Sequence, residues 1–259
     1  MWQEYTKHLL IRTPLEKPAQ NIQKLLRFSQ RRQNPELNEI HLESQRIEQI
    51  MQREIRDSSN CIDIGCHLGS VLSSIMSLSP KGHHMAFEPT PYKARWLKRK
   101  FPEVDLREMA LSDTSGEVTF YCNTTQSGYS GLHEHGQESD EFEKITVQCE
   151  RLDDILPPEY HVDFIKIDVE GGELAVLRGA VEMLRRHRPT ILFECTLSGL
   201  SNFGFTPGEI FDFLTQQHSY SVFLPKNFLE DGKPLNFEKF HNALQYPFKA
   251  FNFIAVPKP

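Results

Sequence analysis

No two of the chain's five cysteines stand at C-x-x-C spacing, and their number is odd. Cys61, Cys66, Cys122, Cys149 and Cys195 fall mostly in apolar, strand-like runs, so they read as reduced, buried thiols rather than disulfides or zinc ligands. No apolar run approaches the roughly 18 residues that cross a bilayer, so no integral membrane segment is expected. Met1 to Leu15 lacks the continuous apolar core of a signal peptide. A cytoplasmic location is the expectation. Basic excess is missing too: the net charge is −6, which gives no general reason to bind nucleic acid and leaves room only for a local patch. The G-x-G-x-x-G turn of dinucleotide folds is absent, and so is any Tyr-x-x-x-Lys pair, which removes the support for a nicotinamide-dependent reductase.

What is present is enough for a full core, with 259 residues of which 39% are hydrophobic. Residues 1–57 form a polar, glycine-free extension. Leu37, Ile40, Ile47, Ile50, Met51 and Ile55 recur there near helical spacing. Upstream, Lys7, Arg12, Lys17, Lys24, Arg27, Arg31 and Arg32 meet only two acids, a pattern open to a phosphorylated or membrane-bound substrate. A solvated cap on the domain's edge is the favoured reading.

Residues 58–259 alternate strands and helices, the pattern of an α/β fold with a parallel sheet covered on both faces. Seven strands are expected near 61–64, 84–88, 105–109, 162–168, 190–195, 219–224 and 251–256. Helices are expected near 69–79, 91–100, 171–187 and 207–217, with Pro207 in a first turn. Glu117–Cys122 and Lys144–Cys149 read as an added hairpin around a long polar insert.

Ligands bind at strand tips in such sheets. Asp63 ends the first strand, and Gly65 and Gly69 punctuate the turn after it, around Cys66 and His67. Glu88 and Pro89 close the second strand, 25 positions after Asp63, where a buried carboxylate needs partners that ribose hydroxyls would supply. The spacing D-x-G-x-x-x-G leaves out the pyrophosphate turn, which points to S-adenosyl-L-methionine as cofactor. Met109 and Ala110, past the third strand, are candidates for the adenine wall. Lys166 and Asp168 share one face of the fourth strand, a charged pair inside an apolar run. Glu170 follows, and Glu194 ends the fifth strand as a matching acid. Asp168, Glu170, Glu194, His133 and His135 are the candidate bases for an alcohol acceptor. The two histidines lie on the insert, which would close over the acceptor, although paired histidines are more ordinarily just solvated. Asp168 and Glu194 are also hard ligands for Mg²⁺, but Cys195 and Thr196 follow where an Asn or second Asp usually helps, so no metal is expected.

The DIGCHLG turn, the FEPTP segment, the MALSD turn, the FIKIDVEGGELAVLRGA block and the RPTILFE strand resemble the FkbM family of S-adenosylmethionine-dependent methyltransferases. The likeness covers about Cys61 to Glu194. It implies a Rossmann-like seven-stranded methyltransferase sheet and O-methylation of a small-molecule hydroxyl, on a sugar, polyketide or other secondary metabolite. It also implies that Asp63, Gly65, Gly69, Glu88 and Asp168 line the cofactor pocket. Cys66-His67 stands where the family commonly has Ala-Asn. A non-catalytic cofactor-binding scaffold remains the rival from another class, and RNA methylation is discouraged by the acidic balance. Oligomeric state has no readable code.

Overall fold

A long helix, α1 (Asn38–Glu54), leads into the sheet-forming part of the chain. In the computed structural model, which describes Leu10, Thr13, residues 35–134 and residues 139–258, strands and helices then alternate. First come β1 (Cys61–Ile64), α2 (Ser70–Leu78), β2 (His84–Phe87), α3 (Pro91–Lys100), β3 (Asp105–Arg107) and the short β4 (Ala110–Leu111). The hairpin β5 (Gly116–Asn123) and β6 (Phe142–Glu150) follows, then α4 (Leu152–Ile155), β7 (Phe164–Ile167), α5 (Glu173–Arg178), α6 (Val181–His187) and β8 (Thr190–Glu194). The C-terminal part holds α7 (Leu197–Asn202), α8 (Pro207–Asp212), β9 (Tyr220–Phe223), α9 (Pro225–Leu229), α10 (Phe237–Ala243) and β10 (Asn252–Pro257).

Seven strands form one sheet in the order β3-β2-β1-β7-β8-β10-β9. Every residue of β1, β2 and β7 is buried, as expected of parallel strands covered on both faces. Ile62 and Ile64 face a core shared with α5, α6 and α8, while Cys61 faces the other way, toward α1 and α2. The strand order reverses between β1 and β7, which places a crevice at their carboxyl ends. The last strand differs from the all-parallel expectation, since β10 runs antiparallel to both β8 and β9. Its run Phe253-Ile254-Ala255 is buried on both faces, and such a pattern specifies burial without specifying direction.

The expected helix over 171–187 is two helices. Its chain bends at Gly179, where a Cβ would stand 2.0 Å from the Ser112 carbonyl oxygen. The second helix restarts under an external cap, because the Asp153 carboxylate accepts from the Glu182 and Met183 amides at 2.9 Å each. Helix α8 opens on a capping box of Thr206 and Glu209 and runs on through a π turn, Phe213–Gln217. The added hairpin becomes three strands, because β4 joins β6 in parallel. The first part of the insert folds back onto β5, with Tyr121 and Gly131 exchanging backbone hydrogen bonds of 2.8 and 3.1 Å.

Ile50 and Met51 of α1 are buried against the sheet, and Glu43 accepts from the Phe251 and Asn252 amides at 2.7 and 2.8 Å, pinning the start of β10. The basic run from Lys7 to Arg32 lies outside the described residues, as does His135. Among the described residues, all five cysteines are buried and free, and no helix is long and apolar enough to cross a membrane.

Candidate active site

Two parallel strands build the floor of the site. Asp63 of β1 and Lys166 of β7 are register partners, and Lys166 Nζ stands 3.5 Å from Asp63 Oδ1 and 3.2 Å from Asp168 Oδ2. The same ammonium donates to the Gly65 carbonyl at 3.0 Å. Burial works against the Lys166 charge, yet Asp168 and Asp63 beside it hold its pKa above the ordinary lysine value. Gly65 closes this floor at φ 73, packed so tightly on the Asp168 backbone that a Cβ would meet its carbonyl oxygen at 1.8 Å. Only glycine fits there.

Asp63 itself is fully buried and does not line the cavity above; it reaches the site through Lys166 and the glycine turn. It does not cap α2, whose N-cap is Gly69 without a side-chain bond. Gly69 faces away as well, toward Leu97 and Phe101. The cavity, of about 250 Å³, is lined by Gly65, Cys66, His67, Glu88, Pro89, Met109, Ala110, Asp168 and Glu170 among others. The structure therefore brings together most of the residues expected to hold a cofactor.

Glu88 sits at the exit of β2, almost fully buried. Its two oxygens accept from the His67 and Thr90 amides, each at 3.0 Å, which fixes the carboxylate at the cavity wall. Thr90 Oγ1 is buried on the same wall, beside the Cys122 thiol. His67 adopts φ 51, and its Nε2 lies 2.9 Å from Ser127 Oγ on the insert. Buried Lys93 donates to the Ser127 carbonyl at 2.9 Å. This pair latches the insert over the cavity and gives the Cys66-His67 departure a physical role. Sequence reasoning missed Lys93, Thr90 and Ser127, because a single polar residue in a helix or loop carries no spacing signal.

Beyond the rim, Asp168, Glu170 and Glu194 bring carboxylate oxygens within 4.8 Å of one another. Glu170 adopts φ 59, a strained conformation of the kind found at functional sites. Burial first, then Asp168, pushes its pKa up to about 9. Burial and the same neighbour also raise Glu194 well above the carboxylate range. Glu173 is not merely a dipole partner at the start of α5: its Oε1 accepts from the Val169 and Gly171 amides at 2.9 and 3.2 Å, holding the Glu170 loop. Burial pushes Glu173 up to about 7.

Glu194 lines a second cavity of about 750 Å³, and Glu170 is shared between the two. His133 lines neither; it is exposed and packs edge-on against Phe203, ring centroids 4.4 Å apart. The arrangement supplies a nucleoside-sized pocket with a fixed acid, a proton-accepting carboxylate cluster at its mouth, and a larger chamber beyond.

The chain is similar to several known proteins. The description Methyltransferase FkbM domain matches residues 63–222, more than half of the chain. The AMB antimetabolite synthetase AmbE of Pseudomonas aeruginosa is 29% identical over 157 residues, covering 46% of this chain and 7% of the synthetase. The crystal structure of a methyltransferase FkbM from Methylobacillus flagellatus KT superposes with a TM-score of 0.50 at 14% identity, covering 78% of this chain and 44% of that one. An rRNA methylase from Streptococcus thermophilus gives a TM-score of 0.46 at 10% identity, over 85% of this chain and 96% of its own. The chain thus spans a small part of the synthetase and under half of the Methylobacillus protein. With the sheet order, the glycine turn and the family match in agreement, the chain belongs to the FkbM methyltransferase domain family.

Proposed function

We propose that this protein is an S-adenosylmethionine-dependent O-methyltransferase acting on a hydroxyl of a small molecule. The observation that carries the reading is Glu88, anchored by two backbone amides on the wall of a cavity floored by the Gly65 turn. The residues fit the cofactor: a carboxylate fixed on the cavity wall suits the two ribose hydroxyls, with Met109 and Ala110 offering an apolar wall for adenine. S-adenosylmethionine, when bound, supplies a methyl group already activated for displacement.

The chain's own part is then alignment and proton removal. Lys166 holds Asp168 and the Gly65 carbonyl in fixed positions, so the rim is set before any ligand arrives. An alcohol oxygen is a poor nucleophile while protonated, and a carboxylate with a raised pKa is a better base than an ordinary one. Glu170 or Glu194, in the ionised form whose share grows as pH rises, would take the acceptor's hydroxyl proton at a carboxylate oxygen where the two cavities meet. The insert, latched by His67 and Lys93, would keep water out.

Incubation with methyl-labelled S-adenosylmethionine and a fractionated metabolite extract tests the assignment. Label recovered on an ether oxygen supports it. Cofactor binding without label transfer to any fraction favours a scaffold instead.

A further inference from the structure

The second cavity has a one-sided chemistry. Glu134, Glu170 and Glu194 line it, and no lysine or arginine does among the described residues. Four aromatic rings complete the wall: Tyr129, Tyr246, Phe248 and Phe251. Tyr246 meets Phe248 edge-on at 5.7 Å and Phe248 meets Phe251 at 5.1 Å, so three of the rings form one continuous surface. Among the described residues, four large apolar side chains are left exposed, and three of them stand on this wall: Tyr129 at 40%, Leu197 at 37% and Tyr246 at 64%. Uncovered rings gathered around a concave acidic chamber mark a ligand site rather than ordinary surface.

We propose that this chamber receives a cationic hydroxyl compound, an amino alcohol or amino sugar, and excludes carboxylates and phosphates. The proposal rests on the methyl-transfer reading, because it names the acceptor class of that same site. Aromatic faces attract ammonium groups through their quadrupole, and the Glu134 carboxylate at the edge of a half-closed chamber attracts cations and repels anions. Two nearby ammoniums leave this balance standing. Lys144 reaches Glu134 at 3.4 Å from an exposed position, and Lys166 is committed to Asp63 and Asp168 behind the rim. Glu170, on both walls, marks the end where the reacting hydroxyl would point, which leaves the ammonium to the aromatic end.

Choline and 3,3-dimethylbutan-1-ol test this directly, because they share shape and hydroxyl and differ in charge; 3,3-dimethylbutanoate adds the opposite charge. Each is titrated into the full chain saturated with S-adenosylhomocysteine. Choline should bind at least about tenfold more tightly than the neutral alcohol, and the carboxylate should not bind in the same range. Tyr246→Ala and Glu134→Gln, both at exposed positions, should each weaken choline several-fold. Equal affinity for choline and the alcohol, preference for the carboxylate, or choline binding untouched by both substitutions would overturn the proposal. Absence of S-adenosylhomocysteine binding would instead bring down the methyl-transfer reading beneath it.

Discussion

Asp63 and Lys166 face each other across neighbouring parallel strands, 0% and 5% exposed, with Nζ and Oδ1 3.5 Å apart. Removing one partner of a buried ion pair leaves an uncompensated charge, which costs far more than the pair itself contributes. Lys166→Met should therefore destabilise the protein by about 3 kcal/mol or more, read as a lowered urea midpoint. An unchanged midpoint would mean that Asp63 is not charged in the folded state.

The acid cluster predicts a pH-dependent stability. Glu170, facing Asp168, Glu173, Lys166 and Lys93, keeps a proton in the folded protein from the ordinary glutamate value of 4.5 up to about 9. The unfolded chain has released that proton, so stability is full below the lower value and is lost as pH rises through the upper one. Glu173 and Glu194, also raised, act in the same direction. The ligand-free protein should melt at a lower temperature near about pH 8.5 than near about pH 6. Glu170→Gln should narrow that gap, and a gap unchanged in this variant would refute the assignment.

Glu194 divides turnover from binding. It lines the second cavity and not the first, so Glu194→Gln should lower kcat by roughly 10²-fold while leaving cofactor affinity within about twofold. Equal activity would remove it from the list of bases.

Asp168, Glu170 and Glu194 also present the oxygen ligands a divalent cation would choose. Lys166 already supplies positive charge at 3.2 Å from Asp168, and the proposed mechanism needs no other. Turnover should survive EDTA dialysis. Loss of activity that Mg²⁺ restores would convert the cluster into a metal site.

The sheet and most residues of the first cavity were legible because they sit where the backbone pattern is regular. Apolar runs ending in Glu88, Asp168 and Glu194 announce strand tips, and Gly65 announces a close approach that only glycine permits. The depth of Asp63 was not legible, since period-two alternation tells which face a side chain takes but not whether a loop covers it. The break at Gly179 was hidden for a similar reason, since it packs on Ser112, distant in sequence, and the direction of β10 was hidden because a run buried on both faces carries no directional signal. Most opaque was the second cavity. One side of it is formed by Leu197, Ser198 and Asn202. The opposite wall comes from Leu244 to Phe251, a stretch that alternates like a strand around Pro247 yet forms none, and its rings acquire meaning only once β10 brings them beside β8.

Calorimetric titration of S-adenosylmethionine into the wild-type protein and into Glu88→Ala bears most directly on the central claim. The account predicts tight binding to the first and a loss of at least about a hundredfold in the second, with the melting curve otherwise preserved. Identical affinities in the two proteins would contradict it.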